Sequence, residues 1–213
     1  MKHDLSMSGG TDNARFYAGF GAIGQNGIVI YTHNTRYNAR INSDFTFLDG
    51  RIKAGESFSF SNRNALNVPN LRKESPVSIG PYRSQSIIPV IITRAIEGIN
   101  HDFVPGEWGG TGIAFRLGDA PNPVADLTRN KDNYFIDNRL TGNFYVDINI
   151  IDGLDLRSLF GGTIDEVREN LITNPTYERL YYNIAERQVT EINSQNDSWV
   201  WTNTLTFEKK FGD

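Results

Sequence analysis

The sequence predicts an all-β fold: an antiparallel up-and-down meander of about seven strands with long loops on one side. Two observations carry this. Long segments alternate apolar and polar residues one by one, and the connections between them are in turn short and long. The first is the signature of a strand whose faces meet different surroundings. The second places every tight turn at one end of the sheet.

The 213 residues carry a formal charge of −4 and a mean hydropathy of −0.42. Nothing in this balance calls for nucleic acid. No run approaches the roughly 18 apolar residues of a membrane helix, but a β-barrel escapes that test because half of its strand residues are polar. The absence of cysteine removes disulfides, thiolate metal sites and cysteine nucleophiles together. No signal peptide is visible: Met1-Lys2-His3-Asp4 leads straight into alternation, and the chain closes on Phe211-Gly212-Asp213, so both ends read as cut.

In chain order, strands are expected over about 3–9, 14–24, 35–48, 51–62, 134–151, 153–164 and 197–211, with long loops at 63–133 and 165–196. The first pair flanks Gly9-Gly10-Thr11-Asp12-Asn13, a turn of residues that tolerate positive φ. Its return strand sets Phe16, Ala18, Phe20 and Ala22 against Arg15, Tyr17, Gly19 and Gly21. A medium loop around Ile28-Val29-Ile30 leads to the clearest strand, where Tyr37, Ala39, Ile41, Phe45 and Phe47 face away from Arg36, Asn38, Arg40, Asn42 and Asp44. After the Leu48-Asp49-Gly50 turn, Ile52, Ala54, Phe58 and Phe60 continue the apolar face. The pattern then collapses through Pro69, Pro76, Pro81, Pro89, Pro105, Pro121 and Pro123; Ser86–Ile92 fits a short strand or a helix start equally. Alternation returns at Tyr134, turns at Asp152-Gly153, and after a polar stretch with helical composition from Thr176 to Glu191 ends in a strand bearing Trp199, Trp201, Leu205 and Phe207 on one face.

These strands outrun the usual 5–6 residues of a soluble sheet and reach the roughly 9–11 of a membrane-spanning strand. With the turn asymmetry, they favour an incomplete outer-membrane β-barrel whose apolar face meets lipid and whose charged face lines a watery interior. Trp199 and Trp201 would fall near the long-loop end, and Phe45, Phe47, Phe207 and Phe211 near the other rim. The alternative is a soluble or cell-surface glycan-binding β-sandwich, which Glu56 favours because a charge on the lipid face is costly.

The motifs Leu5-Ser6-Met7-Ser8-Gly9-Gly10, Tyr17 through Gly27-Ile28-Val29, Arg36-Tyr37-Asn38-Ala39-Arg40-Ile41-Asn42, Asn122-Pro123-Val124-Ala125, Asn138-Arg139 through Gly142-Asn143, and Trp201 through Thr206 with Phe211-Gly212 occur in that order. Together they resemble the barrel of SusC-like (SusC/RagA-type) TonB-dependent outer-membrane transporters. The resemblance implies an internal piece of a 22-stranded, plugged barrel in the Gram-negative outer membrane, without its signal peptide, TonB box or plug. It further implies import of oligosaccharides, or less often peptides, with a SusD-like surface lipoprotein over the pore and TonB acting through the missing N-terminal region.

Gly19-Phe20-Gly21-Ala22-Ile23-Gly24 satisfies a dinucleotide fingerprint but is followed by a turn where a helix should start. Asp147 to Gly153 lacks the spacing and the twelfth-position glutamate of a calcium loop. His3, His33 and His101 show no metal-ligand spacing, and no catalytic constellation or cofactor motif is present. Ligand contact is expected from Arg36, Asn38, Arg40 and Asn42 on the lumen face, and from Trp108 in its glycine-rich loop, which could stack on a sugar or anchor the loop itself.

Overall fold

The computed structural model describes residues 1–66, 88–120 and 122–209. They form a single seven-stranded antiparallel sheet in the order of the sequence, β1-β2-β3-β4-β5-β6-β7. The strands are β1 (Lys2–Gly10), β2 (Ala14–Asn26), β3 (His33–Phe47), β4 (Ile52–Leu66), β5 (Tyr134–Ile151), β6 (Leu154–Thr173) and β7 (Gln188–Phe207). The fold is the expected meander, and its sheet is unclosed, with β1 and β7 at the edges.

The three tight turns lie at one end. At residues 48–50, Leu48 and Asp49 have φ of 52° and Gly50 has φ of 92°, so the turn needs left-handed backbone at successive positions and closes through Arg51 N–H to the Leu48 carbonyl at 3.1 Å. At Gly153, φ is 82° and a Cβ would lie 2.1 Å from the Glu208 carbonyl; only glycine fits both requirements. The connections at the opposite end run from Asn26 to His33, from Leu66 to Tyr134 and from Thr173 to Gln188.

Register fixes which side chains share a face. Ile41 pairs with Ala18 and Phe58, and Phe144 pairs with Glu56 and Phe160, which in turn pairs with Trp201. Because cross-strand partners point the same way, most apolar residues of the seven strands, with Ile23, Phe135, Leu159 and Val200 among the exceptions, fall on one face. That face is not covered by a second sheet: Phe16, Phe20, Ile41, Phe58, Phe144, Phe160, Trp199, Trp201 and Leu205 are all exposed. The apolar stretches Ile52–Phe60, Leu140–Ile148 and Leu156–Ile164 each run about nine residues, long enough for a tilted strand to cross the hydrocarbon core. Above them the same face turns polar, with Asn62 donating to Asn138 at 2.6 Å and Asn138 to Glu166 at 3.3 Å.

Several expectations need correction. Residues 165–196 are not one long loop: β6 continues to Thr173 and β7 starts at Gln188, paired without a break from Asp165↔Asn196 to Thr173↔Gln188. The composition misleads there because above the apolar band both faces carry polar residues and the alternation stops, while the backbone ladder continues unchanged. No helix forms between Thr176 and Glu191. Trp199 accordingly sits mid-strand, at the long-loop edge of the apolar band rather than at the strand's end. The last strand stops at Phe207; Phe211 and Gly212, like Pro69, Pro76, Pro81, Pro121, Ser86 and Ile87, lie outside the described residues. From Ile88 onward the apolar run is neither helix nor regular strand, with Ile91 making an isolated bridge to Trp108. Among the described residues the one α-helix, α1 (Pro123–Arg129), opens with Asn122 accepting from the Val124 and Ala125 N–H groups. That is a cap followed by a first-turn proline, a signal the sequence did display.

Candidate functional site

The polar face of the sheet and the long loops are the two places where chemistry gathers. On β3, Arg36, Asn38, Arg40, Asn42 and Asp44 project from one face, as alternation requires. The arginines are held by the amides two positions on: Arg36 Nε donates to Asn38 at 2.9 Å and to Ser61 at 3.2 Å, and Arg40 Nε donates to Asn42 at 3.3 Å. Asn42 also contacts Ser57 at 2.7 Å. Further along, Tyr145 reaches across β4 to donate to Asp44 at 2.6 Å. It can do so because the intervening residue is Gly55, where a Cβ would lie 2.6 Å from both Asp44 Oδ1 and the Tyr145 ring. Arg139 pairs with Asp165 at 2.5 Å and Arg157 with Asp147 at 3.6 Å.

Beside Arg40 the wall is thin. Its partner on β2 is Gly19, and that of Asn38 is Gly21. The missing side chains leave a hollow of about 340 Å³ bordered by Asp4, Ser6, Tyr17, Asn38 and Arg40. Gly19 is close to the Tyr17 hydroxyl, 2.6 Å from where its Cβ would be.

On the apolar face the one mid-band charge, Glu56, accepts a hydrogen bond from Ser43 of β3, and Ser43 is buried. This partner is what the sequence alone does not reveal, since Ser43 and Glu56 become neighbours only through the hairpin register. The Trp201 indole N–H likewise finds Ser158 at 3.0 Å.

The long loops pack into one small unit. Its centre is Glu178, whose side chain is fully buried and meets Arg129 through two hydrogen bonds of 2.6 and 2.9 Å. Burial works to raise the Glu178 pKa, but the Arg129 guanidinium and the Tyr177 N–H outweigh it and hold the carboxyl below its ordinary value. Asp126, next to this pair, is pushed up to about 6, first by burial and then by the Glu178 charge. Gly110 is required here, because a Cβ would fall 2.1 Å from the Glu178 carbonyl. Around the pair, Asn122 donates to the Val90 and Gly109 carbonyls at 2.8 and 2.9 Å, and Asn100 donates to the Leu180 carbonyl at 2.6 Å. Ile92, Phe103, Ala125 and Leu180 supply the buried apolar contribution. Asn133 anchors the unit on the wall, accepting from Ile172 N–H of β6 at 2.7 Å.

Trp108 belongs to this unit, not to the β3 ladder. It is half-buried, and its backbone N–H donates to the Tyr177 hydroxyl at 2.9 Å. His101 contacts Glu107 at 3.0 Å and packs on Tyr177. Arg179 pairs with Asp119 at 2.5 Å, and Asp119 accepts from Tyr181 N–H at 2.8 Å. Sequence reasoning missed Arg129, Glu178, Arg179 and Asp119, whose partners lie about 50 or more residues apart with no spacing rule to join them. Among the described residues no His, Asp and Glu cluster is arranged to hold a metal ion.

No protein-family profile matches the chain. In sequence it is similar to the TonB-dependent receptor P26 of Formosa agariphila, 24% identical over 99% of this chain and 19% of that protein. In structure it superposes on the RagAB peptide importer in its closed-closed state with a TM-score of 0.71, at 17% identity over 100% of this chain and 22% of the other. A second structure of the RagAB peptide transporter gives a TM-score of 0.65 at 18% identity, with the same coverage. The chain thus spans about a fifth of the length of the proteins it matches. Its fold is that of a RagAB segment and its sequence is similar to a TonB-dependent receptor, so the resemblance to the barrel of SusC-like TonB-dependent transporters holds on both counts.

Proposed function

We propose that this chain forms part of the wall and outer loops of a TonB-dependent transporter in the Gram-negative outer membrane, importing oligosaccharides or peptides. The observation that carries this reading is the uncovered apolar band. It runs across all seven strands at the thickness of a bilayer core, while the opposite face is predominantly polar. A glycan-binding sandwich would bury that band against a second sheet, and the described residues form one sheet only.

Within this reading the polar face lines the pore, and Arg36, Asn38, Arg40 and Asn42 are ligand-contacting groups. The loop unit around Glu178 stands at the outer mouth, and Trp108 takes part by anchoring that unit. A SusD-like lipoprotein over the loops and TonB acting through an N-terminal region complete the transporter. The role is transport and not catalysis, since the buried carboxylates each serve a structural partner.

Fractionation of cells producing the full-length protein tests this. It is expected in the outer-membrane fraction, released only by detergent. Recovery in the soluble fraction without detergent would overturn it.

A further inference from the structure

The arginines of the polar face fall into two groups. Arg139 and Arg157 each face a carboxylate, Asp165 or Asp147. Arg15, Arg36, Arg40 and Arg63 are exposed, and among the described residues none has an acid within ion-pair distance, although Arg15 has Asp44 as its direct cross-strand partner. Arg36 and Arg63 are moreover direct cross-strand partners, an arrangement of like charges that weakens a sheet. Arg63 also has Asp137 as its partner on β5, yet its guanidinium lies 5.1 Å from the Phe135 ring centre, engaging the ring face instead.

The arginines on β3 share one construction. In each, Nε is fixed by the asparagine two residues on, which orients the fork, and among the described residues no hydrogen bond engages the Nη groups. Paired Nη groups are the geometry that takes carboxylate or sulfate oxygens. Room for such a group exists, because Gly19 and Gly21 leave the hollow beside Arg40 and Asn38. The one carboxylate bordering it, Asp4, is held by Lys2 at 3.1 Å.

We infer that Arg36, Arg40 and Arg63 form a binding site for an anionic group, carboxylate or sulfate, on the transported ligand. This rests on the transporter reading. It narrows the substrate to acidic oligosaccharides or acidic peptides and accounts for an arginine pair that would otherwise only destabilise the wall.

The test uses the full-length transporter purified from the outer membrane, with a sulfated tetrasaccharide and its chemically desulfated counterpart as probes in calorimetry. The sulfated probe is expected to bind at least about tenfold more tightly, and the variant Arg36→Gln/Arg40→Gln/Arg63→Gln to lose about tenfold or more of that affinity, a larger loss than it shows for the desulfated probe. The corresponding triple lysine variant should recover part of the loss. Equal binding of the two probes by the native protein, or sulfated-probe binding that is indifferent to the glutamines, overturns the inference. If the glutamines instead raise the basal ion conductance of the reconstituted protein without altering probe binding, the three arginines hold the plug and the inference is overturned. A protein that fractionates as soluble sinks the transporter reading itself, whereas a membrane protein that ignores probe charge sinks only the anion site.

Discussion

The wall and the loop unit are built on opposite plans. In the wall, backbone ladders supply the order and the side chains sort to two faces, so polarity satisfies most positions, glycines such as Gly55 apart. In the loop unit there is little regular backbone pairing. Order comes from individual side chains that satisfy specific carbonyls and N–H groups, with Arg129 and Glu178 buried at the centre. The difference teaches where substitutions are tolerated: polarity governs the wall, while identity governs the loops.

The sharpest break in this comparison should come from Arg129→Leu. Removing one partner of a buried pair leaves Glu178 uncompensated, at a cost of about 3–5 kcal/mol. Hydrogen exchange of residues 88–133 and 174–187 in the full-length protein should rise steeply, with β1 to β4 unaffected. Next, Phe160→Arg places a cation at the centre of the apolar band and should cost about 2–4 kcal/mol in bilayer unfolding measurements. Thr163→Arg, three residues on but on the polar face, should change little. Equal effects would dissolve the distinction between the faces.

The loop unit should also respond to pH. Asp126 has a folded pKa of about 6 against 3.8, so between these values the folded state binds the extra proton. The Asp126 contribution, on the order of 3 kcal/mol, is then fully present at low pH and is lost as pH rises through about 6. Asp126→Asn should flatten the profile across that window, and the wall should show no such dependence. The smallest expected effect is that of Ser43→Ala, which removes the donor to Glu56 and should destabilise the wall by about 1–2 kcal/mol. Glu56→Leu in the same background should restore the loss.

How far the sequence could be read follows the same division. Strands with one apolar face and one polar face announce themselves: Tyr37 to Phe47 and Leu140 to Ile148 alternate, and register follows from the turns at Gly50 and Gly153. The upper halves of β6 and β7, from Asp165 to Thr173 and from Gln188 to Asn196, carry polar residues on both faces, so no periodicity marked them. The β3 ladder was legible because its residues lie two apart on one strand. Arg63, placed against Arg36 by the hairpin, was not singled out, since the long strand's register had to be known first. Glu178 and Arg129 were invisible for a stronger reason: their pairing depends on two loops meeting in space, and neither loop carries a pattern.

The central claim is that one face of the sheet meets lipid and the other meets water. These 213 residues hold no cysteine, so, with any cysteine elsewhere in the full-length protein replaced by serine, single cysteines can be introduced one by one from Leu156 to Thr173 and spin-labelled in bilayers. Oxygen accessibility should peak at 156, 158, 160, 162 and 164, with a water-soluble nickel reagent peaking at 157, 159, 161 and 163, and the alternation should vanish above 166 where both faces are wet. A profile without a period of two between Leu156 and Ile164, or one with the two reagents exchanged, would contradict it.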